Sequence, residues 1–593
     1  MIGCANLKCK GFCMLKGLAI SPGYALGKAY CLKHFQLDNV PARSIGAGEI
    51  EAEIARFSYA IQLARDEISQ LTRLPQIRNS LEISNIFNAH LTLVDDPDLK
   101  KEVVKRIRER QLNVEAVVSG VAKDYSDFFR SLPDPQFQEK AVDVMDIGRR
   151  ILKNCQDKMH MPGFSDLKEG VIVIAEDLTA SDIVSFDTTK VLGLATAEGT
   201  ATSHAAILAR SLGIPALVQV KNLIQVVEQG EFIILDGNTG TLVIKPLNDV
   251  VEEYRVAHAA FESRKADYRA TLTQPSVTKD DVKIRLCANI GQPQDVDAVI
   301  TNGADGIGLY RTEFTYLIRR RFPTEDELVD IYWDVVQRLD GAEVVIRTID
   351  LGGDKISHLV GHVGEKNPEM GWRAVRMSLD RLDIFRTQLR AIIRVCARCD
   401  HGNVKILFPM ISNLGELRRS KTFLGEVRAE LASEGIVVEN KIPIGAMIEV
   451  PSAAILADKI AREVDFLSIG SNDLVQYTLA VDRTNSKVAH LYQPTNPAVL
   501  KLLHDVIVAG ETRECPVSLC GELAGDGRYT LLLIGLGLRA LSMNAIFIPR
   551  VKHAILSLSI AEIRPQVMAM LELDTAEEID TALSKLNAHY GLS

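Results

Sequence analysis

Asp465-Phe466-Leu467-Ser468-Ile469-Gly470-Ser471-Asn472-Asp473-Leu474 runs from a short apolar stretch straight into a polar pair. A run of this length with no polar alternation reads as a strand buried on both faces. The same unit recurs. Apolar runs occur at 283–290, 305–310, 343–350, 404–410, 443–449, 465–470, 516–520 and 540–545, separated by longer, mostly helical segments. Eight strands alternating with helices predict a (β/α)8 (TIM) barrel. The runs end in Asn289, Arg311, Arg347, Asp350, Glu449, Asn472, Asp473 and Cys520. In such barrels the reacting groups gather at the C-terminal strand ends. Charged groups closing several apolar strands would be costly to bury without a ligand or partner.

Upstream the patterning differs. Residues 16 to 31 are strand-like, punctuated by Gly17, Pro22, Gly23 and Gly27. Ile50, Ile54, Phe57, Ile61, Ala64, Ile68 and Leu71 then form one apolar stripe at helical spacing. With the stripes Val114 to Tyr125 and Val144 to Leu152, they predict an all-helical bundle over residues 36–158. From Gly170 a small α/β unit is expected, with strands Val171 to Ala175, Val191 to Thr196, Phe232 to Asp236 and Thr241 to Lys245, and a helix from Thr202 to Leu212 that Gly213 and Pro215 terminate. The expected organisation is α/β and multidomain. Residues 16–35 plus 159–248 form an α/β domain, 36–158 a helical insert, 249–277 a linker helix, and 278–593 the barrel. Residues 1–15 read as a leader outside the native fold, because Met14 opens a more natural start.

Composition excludes several classes. The 593 residues carry 68 Lys+Arg against 77 Asp+Glu, a net charge of −9, and 47% are hydrophobic, which argues against intrinsic disorder. The acidic balance and the shortness of the basic cluster Arg319-Arg320-Arg321 argue against a nucleic-acid partner. No uncharged apolar stretch reaches the roughly 18–20 residues that span a bilayer, and Lys8, Lys10 and Lys16 interrupt any signal-peptide core. No membrane insertion and a cytoplasmic location are expected. Ten cysteines are too few for a disulfide scaffold. The single pair Cys396-Ala397-Arg398-Cys399 lacks the second pair of a structural zinc site and reads as helix-borne thiols.

Two sets of residues carry chemistry. At the expected barrel mouth, Arg311, Arg347, Arg373 and Arg483 supply planar cationic forks suited to phosphate and carboxylate. Glu449 and Asp473 supply hard oxygen ligands of the kind Mg2+ takes together with substrate oxygens. This is the chemistry of a site for a small anionic phosphate ester. Cys520 reads either as a small buried residue or as an acid or nucleophile facing the mouth. The second set is His204 in Gly199-Thr200-Ala201-Thr202-Ser203-His204. It falls in the first turn of the expected helix, where unpaired N–H groups and the positive dipole end favour phosphate, and a neutral imidazole can accept a phosphoryl group.

These stretches resemble one family. Thr202 to Arg210, Gly308 to Phe314, Asp350 to Lys355, Asn367 to Arg373, Asp465 to Leu474, Gln476 to Arg483 and Cys520 to Asp526 are similar to the motifs of the phosphoenolpyruvate–protein phosphotransferases, enzyme I of the bacterial phosphotransferase system. The likeness runs from Gly17 to the C-terminus. It implies a phosphohistidine at His204, with Arg311, Arg347, Arg373, Asn472, Asp473 and Arg483 binding phosphoenolpyruvate. It further implies Mg2+ on Glu449 and Asp473, and Cys520 as the acid that protonates the enolate. The implied partners are the phosphocarrier HPr, docked on the helical insert, and a second copy of the chain bound through the barrel. The family usually has two glycines where this chain has Gly199-Thr200. One histidine serving two sites also requires a hinge, and residues 249–270 are its natural place. The alternatives are a nitrogen-type paralogue without its sensory domain, or a phosphoenolpyruvate synthase-like enzyme. The latter would need a nucleotide-binding domain for which the helical insert is the wrong class.

Overall fold

The computed structural model describes residues 13–32, 40–71, 87, 90–91, 93–131, 135–155, 169–179, 182, 186, 190–199, 206, 209, 213–317, 321–352, 365, 367–399, 402–483, 485 and 487–592. The chain divides into two compact units, Met1–Ser263 and Arg264–Ser593.

The first unit is built on an eight-stranded sheet. Its strands are β1 (Cys13–Lys16), β2 (Leu18–Ser21), β3 (Tyr24–Cys31), β4 (Val171–Ala175), β5 (Val191–Thr196), β6 (Ala216–Val218), β7 (Phe232–Asp236) and β8 (Thr241–Ile244), in the order β1-β8-β7-β3-β4-β5-β6-β2. β3 through β6 run parallel and the remaining pairs antiparallel. β1 corrects the expected leader boundary: Cys13, Met14 and Leu15 pair with Ile244, Val243 and Leu242 and belong to the sheet. Residues 1–12 lie outside the described residues. β1 and β2 follow each other in the chain yet stand at opposite ends of the order. Gly17 joins them. Its N–H donates to the Gly240 carbonyl at 3.0 Å, and a Cβ there would lie 2.5 Å from Val220 Cγ2.

β4 shows why its sequence is apolar throughout. Val171, Val173 and Ala175 face one core, Ile172 and Ile174 another, and all five are buried. The first of these cores is continuous with that of the helical insert, made by α1 (Ile50–Leu71), α2 (Pro97–Arg110), α3 (Val114–Ser131) and α4 (Pro135–Cys155). On α1 the buried residues Phe57, Ala60, Ile61, Ala64 and Ile68 reproduce the expected stripe. α5 (Asn248–Ala270) is the expected charged helix, and the division between the units falls within it.

The second unit is a closed barrel of eight parallel strands, as the sequence predicts: β9 (Arg285–Ile290), β10 (Gly306–Arg311), β11 (Glu343–Arg347), β12 (Val404–Phe408), β13 (Ile444–Ile448), β14 (Phe466–Gly470), β15 (Val517–Cys520) and β16 (Ala540–Asn544). Helices cover it and share one large apolar core with the outer faces of the strands. Cys396 is buried in that core on the helix Leu382–Arg398, and the Cys399 thiol donates to the Val395 carbonyl at 3.1 Å. Within the expected basic cluster, Arg321 is neutralised by a bidentate pair with Glu327, while Arg319 and Arg320 lie outside the described residues.

Small residues set the packing inside the barrel. Gly445 on β13 faces Phe466 on β14, whose ring fills the space a side chain would need, and a Cβ on Gly445 would lie 2.4 Å from two ring atoms. Gly445→Ala should therefore destabilise the barrel by about 1–3 kcal/mol, the usual cost of overpacking. Denaturant unfolding followed by tryptophan fluorescence reports this unit alone, since both tryptophans, Trp333 and Trp372, lie in it. An unchanged midpoint would show that the ring moves aside freely.

Candidate active site

Inward-facing residues along a barrel strand recur every second position. Leu309, Val345, Leu407, Met447, Phe466 and Cys520 form an apolar plug inside the barrel. Two positions further along the same strands come Arg311, Arg347 and Glu449. The period that packs the plug thus also lifts two guanidinium groups and a carboxylate to the C-terminal mouth. Gly470, at the equivalent level of β14, has no side chain. A Cβ there would stand 2.6 Å from Glu449 Oε2, so the glycine leaves the carboxylate its room.

The charges at the mouth are linked. Asp350 is buried between two arginines. Its Oδ2 lies 2.9 Å from Arg347 Nη1, and its Oδ1 and Oδ2 accept from Arg373 Nε and Nη2, each at 3.0 Å. Arg347 also pairs with Glu313 at 3.0 Å. Arg373 pairs with Glu369, reaches Asp473 Oδ2 at 3.2 Å and donates to the Tyr477 hydroxyl at 3.2 Å. Arg483, on the open side, stands 3.7 Å from Asp473 Oδ1. Burial works against the charge of Arg347, but Glu313, Asp350 and Glu449 more than offset it and hold the guanidinium cationic. Arg347 Nε is buried without a hydrogen-bond partner among the described residues. Arg311 is exposed and has no ion pair among the described residues.

Behind the network, Gln388 is fully buried. It accepts from Ile349 N at 2.9 Å and donates to Thr312 Oγ1 at 3.0 Å, while Thr312 donates to the Arg347 carbonyl at 3.0 Å. The ends of β10 and β11 are thereby locked together.

Glu449 is the unusual carboxylate. Burial, then Asp473, then Asp350 push its pKa up to about 8, against the pull of Arg347 and the Met410 N–H. Four arginines (Arg311, Arg347, Arg373, Arg483) face five carboxyl groups (Glu313, Asp350, Glu369, Glu449, Asp473), so these residues balance while Glu449 is protonated and carry one excess negative charge once it ionises. Neighbouring carboxylates without enough cations are what a divalent ion relieves. Among the described residues no three His, Cys, Asp or Glu side chains form a metal-holding cluster. The protein would supply two ligands, Glu449 and Asp473, and leave the remaining positions to water and substrate. That donor set suits a hard cation that keeps open sites.

The structure thus brings together Arg347, Arg373, Arg483, Glu449 and Asp473, with Cys520 in the plug beneath them. Asn472 turns instead toward the start of the next βα segment, where its Oδ1 accepts from Glu522 N at 3.1 Å. Asn289 is engaged by Ser542 at 2.6 Å. Sequence reasoning missed Glu313, Glu369 and Tyr477 as counter-groups. Glu313 lies two positions after Arg311 and Glu369 four before Arg373, so nearness to an arginine was the available signal. His204, with Thr202 and Ser203, lies outside the described residues, as do Gly353, Asp354 and Lys355. Of the helix expected from Thr202 to Leu212, Ala206 and Ala209 are helical and fully buried.

Comparison with known proteins gives a consistent result along the chain. Residues 16–140 match the family described as “PEP-utilising enzyme, N-terminal”, 167–240 the “PEP-utilising enzyme, mobile domain”, and 265–560 the “PEP-utilising enzyme, PEP-binding domain”. Among similar proteins, the phosphoenolpyruvate-protein phosphotransferase of Priestia megaterium is 39% identical over 565 residues, covering 95% of this chain and 97% of its own. That of Bacillus subtilis (strain 168) is 40% identical over 565 residues, covering 95% and 98%. That of Staphylococcus aureus (strain Mu50 / ATCC 700699) is 38% identical over 566 residues, again covering 95% and 98%. With sequence motifs, barrel and domain matches in agreement over nearly its whole length, the chain belongs to the phosphoenolpyruvate-protein phosphotransferase family.

Proposed function

We propose that the protein transfers the phosphoryl group of phosphoenolpyruvate to its own His204 and then to a histidine of the phosphocarrier HPr, releasing pyruvate as the first step of sugar phosphotransfer. The observation that carries this reading is the barrel mouth: a buried guanidinium whose Nε has no hydrogen-bond partner among the described residues, beside Glu449, a buried carboxyl whose ionisation burial, Asp473 and Asp350 oppose. Arg311, Arg347, Arg373 and Arg483, with Asn472 and Asp473, bind and orient the phosphate and carboxylate of the substrate. Their fixed forks cost little reorganisation as charge shifts during transfer. Glu449 and Asp473 hold Mg2+, which when bound supplies positive charge to the phosphoryl oxygens. Phosphorus exchanges its bond to the enol oxygen for one to the His204 imidazole. The enolate then takes a proton at its methylene carbon from the Cys520 thiol and becomes pyruvate, leaving a thiolate. The helical insert, residues 36–158, receives HPr.

In the same reading the barrel makes a homodimer. Exposed Ile455 and Val508, on two helices that pack together, Pro451–Ile455 and Pro497–Thr512, offer apolar surface for it. No helix among the described residues is long and apolar enough to cross a membrane, in keeping with a cytoplasmic protein acting on small carriers.

Two experiments test this. Radiolabelled phosphoenolpyruvate should leave acid-labile phosphate on the wild-type protein and none on His204→Ala, with one pyruvate released per label. The label should then pass to a purified sugar-branch HPr. Label persisting on His204→Ala overturns the assignment, and preferential transfer to a nitrogen-branch carrier favours that paralogue. The second concerns the cation. Glu449 has its pKa raised, so in the metal-free protein it is largely protonated at pH 7 and loses its proton as the pH passes about 8. Mg2+ must displace that proton. Calorimetric titrations in buffers of different ionisation heat should show roughly one proton released per Mg2+ at pH 7 and less at pH 9. Glu449→Gln should abolish the binding heat. Undiminished Mg2+ binding in that variant places the cation elsewhere.

A further inference from the structure

Cys520 is one of several buried thiols, and its surroundings set it apart. Cys287 and Cys515 are also buried. Cys287 accepts a long contact from Arg285 Nη2 at 3.9 Å, and Cys515 donates to the Val464 carbonyl at 3.9 Å. Burial is the largest cause that pushes these two up to about 12 and about 11, with Asp465 adding to it at Cys515. Among the described residues neither has a hydroxyl partner. Cys520 has one. Ser468 Oγ donates to Cys520 Sγ at 3.4 Å, and Cys520 Sγ in turn donates to the Ile469 carbonyl at 3.4 Å.

The strand geometry explains the contact. β14 and β15 are parallel neighbours with Gly470 opposite Cys520 and Ser468 opposite Ser518. Gly470 presents no side chain, so the Cys520 sulfur can lean back along β14 to the serine one layer below. Ser468 is 1% exposed inside an otherwise apolar plug. A hydroxyl buried there costs free energy unless it is bonded. Among the described residues its one hydrogen bond runs to the sulfur.

The geometry points to Ser468 as the positioning residue of the carbon acid: its O–H fixes the Cys520 sulfur and receives the negative charge that appears there when the thiol gives its proton to the enolate carbon. The inference rests on the reaction proposed above. In that step the S–H bond breaks, a C–H bond forms at the enolate methylene, and the carbon–carbon double bond shifts to make the ketone. The electron pair left on sulfur then accepts the hydrogen bond from Ser468. In the reverse direction the same thiolate must remove a methyl proton from pyruvate. A thiolate at this depth is opposed first by burial, and the Ser468 hydroxyl is the strongest group acting the other way.

Cleavage of the phosphorus–oxygen bond does not itself require protonation at carbon, so the two directions separate the roles. In Ser468→Ala, single-turnover labelling by phosphoenolpyruvate should fall by less than about threefold. Removal of the label by added pyruvate should slow by about tenfold or more, within the usual worth of a general acid or base. Tritium release from methyl-labelled pyruvate by the phosphoprotein should slow with it. In a Cys520→Ala background, adding Ser468→Ala should change neither rate, because the serine acts through the sulfur. Equal losses in both directions, unchanged reverse rates, or an additive effect in the double variant would overturn the assignment. A wild-type protein that takes no label refutes the parent reaction instead, and is thereby told apart from a failure of the serine alone.

Discussion

Asp350 holds two guanidinium groups inside the barrel, and the arrangement of the mouth depends on that bridge. A buried charge without a partner is strongly unfavourable, and removing one member of such a pair typically costs about 3–5 kcal/mol. Arg347 ends β11 and Arg373 stands 26 residues later, in front of the helix Ala374–Asp380 of the same βα unit, and shared pairing to one carboxylate brings them to a common point. Glu313, Glu369 and Asp473 complete the compensation. The result is a set of arginines held in place before any ligand arrives, which is the condition for electrostatic preorganisation.

The same pairing leaves two complementary deficits. Among the described residues Arg347 keeps one buried donor unpaired, and a negative charge on Glu449 is opposed by burial, Asp473 and Asp350. An anion alone would satisfy the first and worsen the second, whereas a divalent cation alone would do the opposite. A metal complex of an anionic ester satisfies both, so the site favours arrival of the pair over arrival of either member. The apolar plug beneath closes the barrel to water from the other side and supplies the thiol at its upper edge.

Much of this was legible in the sequence, for a physical reason. Strands buried on both faces have no polar alternation, so the eight barrel runs stand out as apolar blocks and their polar ends mark the mouth. The assignments of Arg347, Glu449 and Asp473 to one site follow from that rule, whereas Arg373 ends no strand and stands out only through the stretch Asn367 to Arg373. The compensating groups did not stand out. Glu313 begins a helix and Glu369 sits in a single 3-10 turn, both settings in which a carboxylate is ordinary. Arg373 and Asp473 meet across a hundred residues, a proximity that only chain closure reveals. Ser468 was invisible for a different reason: a serine inside an apolar strand has no pattern of its own until its neighbour is known. The start of the first sheet was misread because Cys13 to Lys16 is only four residues long and mostly exposed, with no alternation to announce a strand, and tertiary pairing with β8 decided it.

That first segment has a consequence for the durability of the unit. The two margins of the sheet are both four-residue strands, β1 and β2, contributed by one piece of chain that turns at Gly17. Short margins are poor templates for foreign strands. Were this piece clipped or displaced, β8 and β6 would lose their cover together, exposing two rows of backbone donors and acceptors in a single event. Resistance to aggregation across the sheet thus hangs on a terminal ribbon that takes no part in the chemistry.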